Sequence, residues 1–256
     1  MRIVFALVII MLAFVTVVGV GKSIWLLAQE KAVENADSDK KEKKQEEEIP
    51  TELRELLERN PDAEEFVLNY PMKKDLSYEI DLSKHLGSET VPLLLQWDER
   101  WGYTIYGSNM MGLTGCGPTC LSMVLLHLLQ DASYTPRFVA DFAAENDYYV
   151  EGSGSKWTLI SEGGEMLGLD VVEIPLDENR MKKNLELGNP IICIMGPGDF
   201  TTAGHFIVLT GCKDGKFVIN DPNSKTNSER LWSYDEISGQ IKNLWVCRRP
   251  EQGVNH

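Results

Sequence analysis

Cys116 is the residue on which a chemistry can be built. It stands in Thr-Gly-Cys-Gly-Pro-Thr, immediately ahead of an apolar run whose spacing predicts a helix over 117–130. Pro118 falls in the first turn, where a missing N–H costs nothing, and Leu121, Val124, Leu125 and Leu128 line one face. The first N–H groups of a helix have no intrahelical partner, and the helix dipole is positive at that end. A thiol placed there is biased toward the thiolate, which is the nucleophilic form. The plainer reading is a buried or disulfide-bonded cysteine. The flanking glycines, which let a substrate backbone come close, favour the nucleophile.

A thiolate needs a base, and the chain has four histidines. His256 is terminal, and His85 lies in a polar turn before Gly87. His127 is eleven residues beyond Cys116 in the same predicted helix, about 16 Å along the axis, and reads as a satisfied helix side chain. His205 opens the run His-Phe-Ile-Val-Leu-Thr after a Gly-rich loop and is left as the base candidate, against the plainer reading of a structural histidine at a strand start. A third group should orient the imidazole. Two predicted strands, 205–212 and 216–221, are joined by Lys-Asp-Gly. If these three residues form the loop, with Gly215 left-handed, residues 212 and 216 pair and Asp221 lies opposite Ile207, diagonal to His205 on one face. A two-residue Asp-Gly turn would put Asp221 and His205 on opposite faces, so the candidate triad implies the three-residue loop. Asn220 would point away. The alternative for Asp221-Pro222-Asn223 is a simple turn. Gln96, at the end of the apolar run Pro92–Gln96, is an oxyanion-donor candidate beside the Cys116 N–H, or equally a surface side chain at a strand end.

The surrounding elements fall into two groups. Helices are predicted at 117–130, 136–145, 157–167 (with Gly163-Gly164 inside it) and 178–187, the last stopped by Gly188 and Pro190. Strands follow at 191–195, 205–211, 216–220 and 244–248. Helices first and strands last argue for an α+β fold of two lobes. Upstream, residues 3–20 carry no charge, and eighteen residues of helix rise about 27 Å, close to a bilayer core. We read 1–28 as a transmembrane anchor rather than a cleaved signal peptide, since no clear small-x-small site follows. Residues 29–50 read as a charged, disordered stalk, 51–71 as a helical arm with its apolar stripe on Leu53, Leu56, Leu57, Phe66 and Val67, and 72–250 as the catalytic domain. The formal charge is −14, and residues 30–66 supply half of it. That balance excludes nucleic acid as a partner, because phosphate binding needs clustered cations. A large acidic domain behind one N-terminal span is expected at the cell membrane, single-pass and extracellular.

Gln96-Trp-Asp-x-Arg-Trp101, Tyr106-Gly107, Gly115-Cys-Gly-Pro-Thr119 with Met123-Val-Leu125, Gly204-His-Phe-Ile-Val-Leu-Thr-Gly211 and Ile219-Asn-Asp-Pro222 form an ordered series. It resembles the papain-like peptidases of cysteine-peptidase family thirty-nine, and more closely the like-branch that lacks the transporter, over about residues 91–248. The arm, with Asn60-Pro61 and Asn69-Tyr-Pro71, also resembles the segment that precedes this domain in some bacterial members. The resemblance implies a papain-like two-lobe fold, with a helical N-terminal lobe carrying the nucleophile helix and a C-terminal antiparallel sheet. It also implies Cys116 as nucleophile, His205 as base, Asp221 as orienter and Gln96 as oxyanion donor. In the transporter-linked peptidases the oxyanion Gln lies six residues before the Cys; position 110 here is Met, and Gln96 is twenty residues upstream. The absence of a nucleotide-binding motif gives no support to leader cleavage coupled to export.

The five cysteines allow two disulfides and one free thiol, and Cys120, one turn beyond Cys116, reads as core. No C-x-x-C pair exists, and neither a metal nor a cofactor is expected. The expected activity is hydrolysis of peptide or amide bonds, with a peptide or cell-wall peptide as substrate. The alternatives are a thiol acyltransferase, or a non-catalytic binding module of the same fold using Trp97, Trp101, Trp157 and Tyr148-Tyr149.

Overall fold

Leu53 and Leu56, one turn apart, are buried side by side, and this apolar edge sets the first described helix, α1 (Thr51–Arg59). The structure is a computed structural model that describes residues 49–250. The anchor expected at 1–28 and nearly all of the stalk at 29–50 lie outside the described residues, as does His256. Among the described residues no helix is long and apolar enough to cross a membrane. Pro61 both ends α1 and starts something new. The Asn60 side chain accepts the Asp62 N–H at 3.2 Å and caps a 3-10 turn over Pro61–Ala63, which feeds α2 (Glu64–Lys73). Phe66 and Val67 of α2 are buried, each such side chain contributing about 1.5–3 kcal/mol.

The run Pro92–Gln96 forms no strand; the Gln96 N–H instead donates to the Pro222 carbonyl at 2.8 Å. The helix expected over 117–130 is α3 (Cys116–Leu129), and it ends on Gln130 in the left-handed conformation. Its burial is broader than the predicted stripe. Cys120, Met123 and Leu126 are buried as well as Leu121, Val124 and Leu125. A helix apolar all round must be covered all round. Here α4 (Pro136–Glu145, capped by Thr135), the segment Leu159–Ile160 and the central sheet share that task. The helix expected over 157–167 is broken into a π turn at Leu159–Gly163 and a short turn Gly164–Met166, which the Gly163-Gly164 pair permits. Downstream lie β1 (Asp170–Glu173) and α5 (Glu178–Glu186), where Asp177 accepts the Arg180 N–H at 2.8 Å.

Besides two two-stranded ribbons of two-residue strands upstream, Ile105–Tyr106 with Asn109–Met110 and Tyr149–Val150 with Gly154–Ser155, the chain forms β2 (Ile191–Met195), β3 (His205–Lys213), β4 (Lys216–Asn220), β5 (Leu231–Trp232) and β6 (Ile241–Arg248). With β1 they make one antiparallel six-stranded sheet in the order β1-β6-β2-β3-β4-β5. Ile192, Phe206, Val208 and Trp245 face α3, while Ile191, Cys193, Ile207, Leu209 and Phe217 face Met181 and Leu185 of α5. The protein is therefore α+β, with α3 packed on an antiparallel sheet.

The hairpin between β3 and β4 differs from the expected one. Lys213 pairs with Lys216, so the loop is the two residues Asp214-Gly215, both left-handed (φ +53° and +75°), and not Lys-Asp-Gly. Asp-Gly suits a type I′ turn, whose twist matches the flanking strands. Yet the register shifts between Leu209 and Gly211: Leu209 pairs with Ile219 and Val208 with Asn220. Thr210 is the extra residue of a β-bulge. The bulge recovers the register that the three-residue loop would have given.

Candidate active site

Three chain segments converge at one end of the sheet. Cys116 is the first residue of α3, behind Gly115, which supplies no side-chain cap. His205 opens β3, and Asp221 follows the last residue of the adjacent antiparallel β4, so the register brings them to the same edge. His205 Nε2 and Asp221 Oδ1 are 2.7 Å apart, with both side chains buried. The Cys116 sulfur lies beside the imidazole, with the Phe206 and Gly117 N–H groups close enough to act on its acidity. Asn220 turns the other way: its Nδ2 donates to the Val91 carbonyl at 3.1 Å.

The electrostatics of this group follow from its contacts. Burial pushes the Cys116 thiol up, but the hydrogen bond and charge of the His205 imidazolium, with two backbone N–H groups, hold it below its ordinary value. Burial alone would lower His205; the adjacent Asp221 carboxylate and the Cys116 sulfur outweigh it and raise the imidazole. Each group thus favours the charged form of the other, the condition for a thiolate–imidazolium pair. The other buried cysteines run the opposite way. Burial raises Cys120 and Cys193, and pushes Cys247 up to about 12. All five cysteines are free, in place of the two disulfides that the count would allow.

Asp221 is itself held. Besides His205, Oδ1 accepts the Asn223 N–H at 2.8 Å, and Oδ2 accepts Asn227 Nδ2 at 2.8 Å. Asn227 lies in a short helix, Lys225–Glu229, capped by Ser224. Sequence reasoning missed it, because an Asn in a polar segment carries no signal of the carboxylate it will meet. Gln96 is buried, and its Nε2 donates to the Gly112 carbonyl at 2.9 Å. One amide hydrogen is thereby used and one is free, while Oε1 has no partner among the described residues. Gln96, Cys116 and His205 all line one cavity of about 790 Å³. Its walls come from Gly196–Gly204 between β2 and β3, from Gly152–Ser155 with Trp157, and from Leu56, Arg59 and Asn60 at the end of α1.

Residues 88–250 match the model of the Peptidase_C39 like family. The chain belongs to that family. It is a cysteine-type peptidase. No curated protein matches it. Among solved structures it is similar to the peptidase domain of Streptococcus ComA, a bi-functional ABC transporter involved in quorum sensing (17% identity over 62% of this chain and 99% of that one, TM-score 0.46). It is also similar to a double glycine motif protease from an AMS/PCAT transporter in complex with the leader peptide (21%, 64% and 95%, TM-score 0.41). A C39-like peptidase from Bacillus anthracis is a further likeness (15%, 68% and 99%, TM-score 0.38).

In this peptidase two expectations about other side chains fail. The aromatic residues offered for a binding surface are mostly core: Trp97, Trp101 and Tyr148 are buried, leaving Trp157 exposed and Tyr149 half-buried. Trp101 Nε1 is spent on the Leu95 carbonyl and Trp97 Nε1 on the Asn223 carbonyl. His127 is not a satisfied side chain, since its buried Nδ1 finds no partner among the described residues. Among these residues no cluster of His, Cys, Asp and Glu could hold a metal ion.

Proposed function

We propose that this peptidase cleaves peptide bonds through Cys116, His205 and Asp221, with Gln96 as an oxyanion donor. The observation that carries the reading is the His205–Asp221 contact of 2.7 Å beside a sulfur at the start of α3. The Cys116 thiolate attacks the scissile carbonyl carbon, forming the C–S bond and moving the π pair onto oxygen. The free Nε2–H of Gln96 and the Cys116 N–H meet that oxyanion. The His205 imidazolium gives its proton to the departing amine, leaving an acyl-enzyme. Water then attacks the thioester carbonyl while neutral His205 takes its proton, and collapse expels the thiolate and releases the acid. Asp221 fixes the ring throughout and stabilises the imidazolium.

The substrate is read as a peptide or cell-wall peptide, and the charge-free residues 3–20 support an anchored enzyme with its domain outside the cell. The test is iodoacetamide labelling of the native protein at neutral pH with peptide mapping, beside cleavage of a peptide library. Labelling confined to Cys116, with cleavage abolished in Cys116→Ala, is the expected result. Equal labelling of Cys116 and Cys193, or cleavage that survives Cys116→Ala, would sink the mechanism.

A further inference from the structure

The arm upstream of the family-matched residues 88–250 closes on the loop that holds Asp221. Asp62, in the 3-10 turn after α1, reaches across to it. Its Oδ2 accepts the Thr226 N–H at 2.9 Å and the Ser224 hydroxyl at 3.1 Å, and its Oδ1 accepts the Thr226 hydroxyl at 3.2 Å. Ser224 Oγ in turn accepts the Asn227 N–H at 3.1 Å, and the Asn227 side chain donates to Asp221. The hydrogen bonds therefore run without a gap from Asp62 through Ser224 and Asn227 to Asp221 and His205. Asn60 adds a bond from its Nδ2 to the Asn223 carbonyl, which also receives Trp97 Nε1 at 2.9 Å. Burial acts to raise the Asp62 carboxyl, but the donors from Thr226, Ser224 and Lys225 hold it below its ordinary value, so the acceptor is anionic at neutral pH.

The arm also meets the other end of the site. Phe66 of α2 lies so close over Gly112 that a Cβ there would come within 2.5 Å of its ring, and the Gly112 carbonyl is the group that holds Gln96. A helix of five residues cannot hold its own shape in water, so the geometry of Lys225–Glu229 must come from the groups that grip it.

We propose that Asp62 is a positioning residue of the active site: by gripping Ser224 and Thr226 it fixes the 221–227 loop and hence the angle at which Asp221 meets His205. The proposal rests on the Cys116–His205–Asp221 reading above. It makes the 51–73 arm a working part of the peptidase and not a spacer.

The test reads the rate of Cys116 alkylation by iodoacetamide against pH in the full chain. The midpoint of the rise reports how well the imidazolium stabilises the thiolate. An unfolded chain would present an ordinary thiol and raise the midpoint too, so each variant is read only over the pH range in which circular dichroism shows it folded. Asp62→Ala should move the midpoint upward by roughly half to one pH unit, in the direction of Asp221→Ala, and slow alkylation at neutral pH about tenfold at most. Asp62→Asn, which can still accept from Thr226 and Ser224, should recover most of the lost rate. If Asp62→Ala does not fold, Thr226→Val removes one of the three bonds and should shift the midpoint the same way by less. A midpoint unchanged in Asp62→Ala (or in Thr226→Val where that stands in) while Asp221→Ala moves it overturns the proposal alone. A midpoint unchanged in Asp221→Ala overturns the triad reading, and the proposal with it.

Discussion

At the scale of single residues, the site turns on a thiol and an imidazole whose acidities are drawn toward each other's needs. Cys116 lies below its ordinary value and His205 above its own. Peptide cleavage should rise as pH climbs through the lowered thiol value, because the thiolate forms there. It should fall again above the raised imidazole value, because the proton for the leaving amine is then gone. Alkylation of Cys116 needs only the thiolate, so it should show the rise without the fall, and a fall in both would count against the assignment. In His205→Ala burial is left as the dominant influence on the thiol, and alkylation at pH 7 should slow by at least about tenfold. Asp221→Ala should lower kcat by on the order of ten- to a thousandfold with less effect on KM, whereas Asp221→Asn, an amide that can still orient the ring, should keep more activity; steady-state kinetics on a cleaved peptide would check both. Cys116 and His205 could be picked out of the sequence because a Gly-flanked Cys before an apolar helix and a His at a strand start are local patterns. Asn227 and the Gly112 carbonyl could not, since their partners lie across the fold and their own neighbours are ordinary polar residues.

At the scale of elements, the long apolar segments were legible and the short ones were not. The α3 helix and strands β2, β3 and β4 begin and end within two residues of the positions that periodicity predicts. The strands β1 and β5, of four and two residues, exist only because β6 and β4 offer them edges, and two or four residues carry no readable period. The hairpin is the instructive case. Its turn could have been read from Asp-Gly, but the bulge at Thr210 sits among ordinary strand residues and leaves no mark in the sequence. One residue of slippage moves a strand's side chains to the other face. Deleting Thr210 should therefore keep the type I′ turn while placing Asp221 out of register with His205. The expected result is a folded protein by circular dichroism with Cys116 alkylation reduced to near the level of Asp221→Ala; wild-type reactivity in the deletion would show that the bulge does not set the site.

At the scale of the whole molecule, the charge-free N-terminal segment and the acidic domain behind it lead to one expectation about placement. Protease treatment of intact cells should release the domain, and a domain protected until lysis would put it on the other side of the membrane. The arm bears on a different question, that of where the peptidase begins. Sequence similarity draws its border at residue 88, while Leu53, Leu56, Ala63, Phe66 and Val67 are all buried upstream of that line. The unit that melts as one body should start near Thr51. A fragment trimmed to 88–250 would bare the grooves those side chains fill and leave Ser224 and Thr226 without their anionic acceptor. Such a fragment should precipitate or unfold without a sharp transition, and its inactivity would say nothing about whether the family's chemistry is present in the intact chain.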